Sequence, residues 1–216
     1  GLDYSTALFD VDGNMVAQGD YSPGHLGSMA FSIRRVFEDY PRDTIEAGDA
    51  IFLNDPGIGS GHLPDFFMIS PIYLEDELLG FAACCAHHVD VGGAGAGSQV
   101  IQGVLDNYQE GVRFLPTRCY ARGEPIEHIF SLVAANVRQP DKVLGDLRAQ
   151  VNANVIGASR VATLGRQYGP HTLRDAMSEI IRRSEEQMRN AIREIPDGTY
   201  VFEDHMDDVG PDTEPV

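Results

Sequence analysis

Phe66-Phe67-Met68-Ile69-Ser70-Pro71-Ile72-Tyr73-Leu74 and Leu78-Leu79-Gly80-Phe81-Ala82-Ala83-Cys84-Cys85-Ala86 are two apolar runs separated by the acidic triplet Glu75-Asp76-Glu77. Runs of this length on either side of a short polar turn predict two strands of a hairpin. Towards the N-terminus, residues 5–11 and 14–18 flank Asp12-Gly13, a pair that tolerates positive φ and so predicts a first hairpin. Between the hairpins, residues 28–40 predict a short helix with Ile33, Val36 and Phe37 on one face. Residues 49–53 predict a short strand that runs into Asn54-Asp55-Pro56-Gly57. Up to about Tyr120 the chain alternates short apolar runs with Gly, Pro, Asn and Asp, the pattern of strands and loops.

From about Glu127 the period becomes helical. Ile129, Leu132 and Val133 open one segment, which Pro140 interrupts. Val143, Leu144, Leu147, Val151, Val155, Ala158 and Ala162 form a stripe on a long helix ending near Gly169. Leu173, Met177, Ile180, Ile181, Met188, Ile192 and Ile195 form a stripe on the next, and Gly169-Pro170 makes the two an antiparallel pair. Stripes of this kind mark packing on a core or on a partner. The expected fold class is α+β: N-terminal hairpins and Gly-rich loops forming a metal site, then a long antiparallel helix pair. The expected organisation is a β-rich metal-site region over residues 1–125, a helical region over 126–197, and the start of a further β region over 198–216. The chain has no initiator Met and its first residues already read as a strand, while strand-like Tyr200-Val201-Phe202 stands close to the other end. A piece of a longer subunit is the expectation.

The chain has 216 residues and a formal charge of −17, enough length for a sizeable core and an acidic balance that argues against a nucleic-acid partner. No apolar run reaches the ~18 residues of a membrane span, so no membrane partner is expected. The three cysteines, Cys84, Cys85 and Cys119, imply no disulfide framework and fit a reducing cytoplasm. Cys84 and Cys85, within an apolar strand, read as small buried hydrophobes.

The chemistry-bearing residues gather in one Gly-rich region. Asn54-Asp55-Pro56-Gly57-Ile58-Gly59-Ser60-Gly61-His62-Leu63-Pro64-Asp65 puts a His and an Asp three apart, and Pro64 fixes the local φ between them. Ala86-His87-His88-Val89-Asp90-Val91-Gly92-Gly93 adds two His and an Asp at the end of a predicted strand. Imidazole and carboxylate together suit divalent Zn, Mn or Fe, and two such sets on neighbouring loops can close a site. Adjacent strand residues face opposite ways, so only one of His87 and His88 serves as a ligand. Spacing does not choose between them. His25, just ahead of the first predicted helix, is placed to act as a general acid or base. Asp3, at the start of the first strand, has nothing local to raise it above a surface carboxylate. The run from Gly92 to Ser98 reads as a connector whose N–H groups can approach an oxyanion. His128, His171 and His205 have no assignable partner. The chain holds no G-x-S-x-G elbow and no nucleotide-binding loop, so any ATP must be handled by another chain.

The same residues carry a resemblance. Leu2-Asp3-Tyr4-Ser5-Thr6-Ala7-Leu8-Phe9-Asp10, Gly24-His25-Leu26-Gly27-Ser28-Met29, Leu53-Asn54-Asp55-Pro56, Gly61-His62-Leu63-Pro64-Asp65, Ala86-His87-His88-Val89-Asp90-Val91-Gly92-Gly93, Ala135-Asn136-Val137-Arg138 and Gly145-Asp146-Leu147-Arg148-Ala149-Gln150 resemble, in order, motifs of the hydantoinase B/oxoprolinase family. Members are considerably longer, and this chain resembles their N-terminal part. Ser60-Gly61 departs from the family, which more often has further Gly and a Thr ahead of the HxxD histidine.

The resemblance implies a two-part enzyme. A hydantoinase A-type ATPase partner phosphorylates a carbonyl-type oxygen, and the B-type subunit holds the activated substrate at a divalent metal. Together they would open hydantoin, oxoproline or other lactam-like rings in a hetero-oligomer. An ATP-dependent ketone carboxylase subunit of the same family is the alternative implied, and an inactive interaction module is a third. By motif position the resemblance makes Asp3, His62, Asp65 and His87 the metal ligands. It puts His25, His88 and Asp90 in catalytic positions, and Asn54, Gly92 and Gly93 against the substrate.

Overall fold

The computed structural model describes residues 3–19, 22–59, 61–95 and 103–204. Seven strands form one antiparallel sheet: β1 (Tyr4–Phe9), β2 (Met15–Gln18), β3 (Ala50–Leu53), β4 (Asp65–Leu74), β5 (Glu77–His87), β6 (Thr117–Ala121) and β7 (Glu124–Pro125). Their order across the sheet is β2-β1-β5-β4-β3-β6-β7, with β5 and β4 flanked on both sides. The β1–β2 hairpin turns where Asp10 caps the loop, its Oδ1 accepting from the N–H groups of Asp12 and Asn14. The β4–β5 hairpin turns at Glu75, which takes positive φ. The C-terminal half of the chain supplies α4 (Pro140–Tyr168) and α5 (Pro170–Arg193), preceded by α2 (Asn107–Glu110) and α3 (Glu127–Asn136), while α1 (Pro23–Asp39) lies between β2 and β3.

Strand period divides the apolar residues between two faces. Ala7, Phe9, Ile51, Leu53, Phe67, Ile69, Phe81, Ala83 and Cys85 pack with Met29, Ile33 and Val36 of α1. Ala50, Phe52, Phe66, Met68 and Cys84 face the other way, onto Leu147 and Val151 of α4 and Phe130 and Val133 of α3. Covering both faces explains why β4 and β5 are apolar along nearly their whole length instead of alternating. Pro71, which cannot donate to a ladder, is tolerated in β4 because pairing with β3 stops at Ile69.

Several boundaries differ from the sequence expectation. The first helix starts at Pro23, not Ser28, because proline at the first helical position has neither a missing bond nor a wrong φ. The short strands β6 and β7 have no counterpart among the expected elements. On α4, Val155 is 56% exposed whereas Asn154, one residue earlier, is 3% exposed. The buried arc therefore runs through an amide, which an apolar stripe does not register. Leu173 packs over Gly165 and Met177 joins Val161 in one cluster, so α5 turns back along α4 for its first two turns. Beyond that, Ile180, Met188, Ile192 and Ile195 are exposed, and so are Tyr200, Val201 and Phe202, which form no strand. His205, Gly97, Ser98 and the rest of the expected further β region after Asp204 lie outside the described residues. No described helix is long and apolar enough to cross a membrane.

Candidate metal centre

The register of three neighbouring strands builds the site. Asp65, the first residue of β4, pairs with His87, the last of β5. On the other side of β5, Tyr4 pairs with Ala86, so Asp3 stands beside His87, whose N–H donates to the Asp3 carbonyl at 3.0 Å. Asp3, His87 and Asp65 thus form a row across β1, β5 and β4. By parity they share the face that carries Cys85 and Phe67, the α1 face. His62 reaches the row from a turn closed by the Asp65 N–H on the His62 carbonyl. His25, in the first turn of α1, approaches from above.

The distances are those of a donor shell. His62 Nε2 lies 3.0 Å from Asp65 Oδ1 and 3.0 Å from His87 Nδ1, and His87 Nδ1 lies 3.2 Å from Asp65 Oδ1. A tetrahedron with bonds of about 2.0–2.1 Å has edges of about 3.3–3.4 Å, close to all three separations. Two ring nitrogens and a carboxylate oxygen converging in this way fit a borderline divalent cation, which takes the lone pairs that no proton arrangement can satisfy together. Asp3 is the outlying member, its Oδ2 4.0 Å from His87 Nδ1. A second grouping joins His25, Asp65 and Cys85. Burial pushes the Cys85 thiol well above its ordinary pKa, so Cys85 is a protonated wall of the site rather than a thiolate donor.

Charge follows the same geometry. Burial pushes the Asp65 carboxyl up, but hydrogen bonds from His25 and His87 and the proximity of His62 outweigh it and hold the group far below the usual carboxylate range. The Asp65 carboxylate raises the pKa of His87 in return, against a smaller opposing effect of burial. His25 Nε2 is 3.5 Å from Asp65 Oδ2 and 3.8 Å from Asp3 Oδ1, while its Nδ1 is 3.4 Å from Ser5 Oγ. Ser5, which no chemical motif singles out, holds this ring. Its parity with Asp3 on β1 is the signal that marks it.

The other expected residues are committed elsewhere. His88 follows β5 and turns to the α4 face, its ring 4.5 Å from that of Phe66 and its Nε2 2.9 Å from Gln150 Oε1. Burial lowers its pKa, and its Nδ1 meets no partner among the described residues. Asp90 is 1% exposed and accepts from the backbone N–H and the guanidinium of Arg138. The same guanidinium donates to the carbonyls of Gly92 and Gly93. Both glycines have positive φ, and a Cβ at either would come within 2.5 Å of a backbone oxygen, of Asn136 and Glu110 respectively. Asn54 is fully buried: its Nδ2 donates to the carbonyls of Leu63 and Val112, and its Oδ1 accepts from the Phe114 N–H. It braces the turn that carries His62. The structure therefore brings Asp3, His25, His62, Asp65 and His87 together, and gives Asn54, His88, Asp90, Gly92 and Gly93 bracing contacts around them.

Comparison with known proteins returns the same architecture. The profile of the family described as Hydantoinase B/oxoprolinase matches residues 1–215. The chain belongs to this family. It is 35% identical over 209 residues to the B-type subunit of a D-/L-hydantoinase from Pseudomonas sp. strain NS671, a match covering 95% of this chain and 35% of the relative. The crystal structure of the ATP-dependent caprolactamase from Pseudomonas jessenii superposes with a TM-score of 0.84 at 32% identity, covering 94% of this chain and 35% of that one. An acetone carboxylase in a nucleotide-free structure shares the fold, with a TM-score of 0.73 at 20% identity over 82% of this chain and 24% of that one. The chain thus spans about a third of the length of the hydantoinase relative.

Proposed function

We propose that this hydantoinase B/oxoprolinase chain carries the metal-binding part of an ATP-dependent amidohydrolase subunit. The subunit opens hydantoin, oxoproline or other lactam-like rings after a partner ATPase of hydantoinase A type has phosphorylated the ring carbonyl oxygen. The observation that carries this reading is the donor triangle of His62, Asp65 and His87, with every edge between 3.0 and 3.2 Å. The caprolactamase and hydantoinase relatives support the substrate class.

His62 Nε2, His87 Nδ1, Asp65 Oδ1 and, after a small approach, Asp3 would hold a Zn, Mn or Fe ion. Such an ion supplies Lewis acidity and makes water a nucleophile near neutral pH. Around it the chain's own residues divide the work. Asp65 turns one oxygen to the two ligand histidines and the other to His25. His25, steadied by Ser5, can take a proton at Nε2 and return it to the departing ring nitrogen. Phosphorylation of the amide oxygen removes its resonance stabilisation, and phosphate leaves when water adds to the carbon. The Arg138–Asp90 pair fixes the loop at Gly92 and Gly93 beside this centre, and Asn54 fixes the His62 turn.

The test pairs the full-length subunit with its ATPase partner and supplies ATP with hydantoin, caprolactam or 5-oxoproline. ATP-dependent ring opening that His62→Ala abolishes is the expected result. Bicarbonate-dependent consumption of a ketone without ring opening would replace the reading with a carboxylase. A protein that binds no divalent metal and turns over none of these substrates would be an interaction module.

A further inference from the structure

Two amides on one face of α4 reach into the sheet. Gln150 Nε2 donates to the Phe66 carbonyl at 2.8 Å, and Asn154 Nδ2 donates to the Met68 carbonyl at 3.0 Å and to Ser70 Oγ at 3.3 Å. Four helical residues rise about 6 Å and two strand residues about 6.6 Å, so successive turns of α4 meet alternate residues of β4 in step. Both amides are buried, and a buried amide is retained only where its hydrogen bonds are made. They differ in one respect. Gln150 has a second partner, the fully buried His88, which donates from Nε2 to Gln150 Oε1 at 2.9 Å. Asn154 bonds within β4 alone.

That second bond spans the two strand ends that carry the candidate ligands. Phe66 directly follows Asp65, and His88 directly follows His87. The His88 N–H closes the same corner by donating to the Pro64 carbonyl at 2.8 Å. Phe66 and His88 also stack, with ring centroids 4.5 Å apart. Because neighbouring strand residues face opposite ways, a bond that fixes Phe66 and His88 on the α4 face fixes Asp65 and His87 on the α1 face. We infer that Gln150 is a positioning residue for the metal centre, acting through His88 and the Phe66 carbonyl to set the separation of Asp65 and His87. This rests on the proposal that these residues bind a divalent cation.

Asn154 provides the control, since removing either amide strips one helix-to-strand rung. The chain and its Gln150→Leu and Asn154→Leu variants would be compared in three ways: thermal melting, Zn2+ affinity by competition with a chelator, and the visible absorption of the Co2+-loaded form. Outer partners of metal ligands typically contribute about 10–100-fold in affinity. Gln150→Leu should weaken Zn2+ binding within that range and alter the Co2+ spectrum. Asn154→Leu should lose comparable thermal stability yet bind Zn2+ within about threefold of the parent chain, with an unaltered spectrum. Equal affinity in the parent chain and Gln150→Leu, or an equal loss in both variants, overturns the inference. A parent chain that binds neither Zn2+ nor Co2+ overturns the metal reading instead. In that event the imidazole 15N resonances of His62 and His87 in the metal-free chain still decide the positioning role: they should move in Gln150→Leu and stay in Asn154→Leu, and the inference falls if they do not.

Discussion

Asp65 and His87 stand opposite each other on two adjacent inner strands of the sheet, Oδ1 3.2 Å from Nδ1, as the first residue of β4 and the last of β5. A hydrogen-bonded ladder, not a loop, therefore sets the separation of the two innermost candidate ligands. His62 is attached to the same frame by a single turn, and Asp3 by the register of the next strand. Replacing Asp65 removes a member that faces His25, His62 and His87 at once.

Asp65→Asn should accordingly weaken Zn2+ or Mn2+ binding by more than the about 10–100-fold typical of outer partners. The substitution keeps the shape and one oxygen but removes the negative charge that balances the cation. Isothermal titration of the chain reads this directly. Retention of full affinity would move the ion elsewhere.

Metal binding should tighten as pH rises through the range where His87 titrates. Asp65 raises the pKa of His87 in the metal-free fold, so a proton is held there to a higher pH than on a free imidazole, near 6.5. The cation needs that nitrogen bare, and each proton it displaces adds one unit of slope to log K against pH. Without metal the sign reverses. The raised folded pKa contributes stability that is fully present below about pH 6.5 and is lost as pH climbs through the folded value. Melting of the chelator-treated chain should fall slightly from pH 6 to 8 while Zn2+ affinity increases. Affinity that is flat between these two pH values would contradict the assignment of His87.

Arg138→Ala should destabilise the fold by roughly 2 kcal/mol, about 4–8 °C in melting temperature. The loss is smaller than for a fully buried pair because the guanidinium is partly exposed, while the Asp90 carboxylate left behind is 1% exposed. Asp90 and Arg138 changed together to Asn and Ala should recover part of the deficit. A melting temperature unchanged in Arg138→Ala would mean that the Gly-rich loop holds itself.

The thiols should be silent. Cys84 and Cys119 are pushed up to about 12 by burial, and Cys85 is displaced in the same direction. Thiolates are the reactive form, so none of the three should react with a disulfide reagent at pH 8 until the chain is denatured. Rapid release of one equivalent from the native chain would mean that β5 opens locally.

How far the sequence reveals this arrangement depends on the range of the interaction. The hairpins are legible because their determinants are local: Asp10, Asp12 and Gly13 close one turn, and the acidic triplet after Leu74 closes the other. The His62-to-Asp65 spacing and the two histidines ending β5 are also local, and they mark the residues that the fold gathers. The start of α1 is hidden because Pro23-Gly24 looks like a break until the proline is placed at the first helical position. The roles of Asn54, His88 and Asp90 are hidden for another reason. Their partners Phe114, Gln150 and Arg138 lie 60, 62 and 48 residues away, and nothing periodic links such pairs. Asn154 in place of Val155 on the packed face has the same origin, since an amide is welcome there only once the Met68 carbonyl is opposite it.

The matched rise of α4 and β4 makes this helix intolerant of changes in length. Adding or deleting a single residue between Val143 and Gln150 would swing both amides by about 100° around the helix axis, away from the carbonyls that receive them. Substitutions along the exposed side of α4 leave that phase untouched. Indels would be confined to the loops on either side, however conservative their composition.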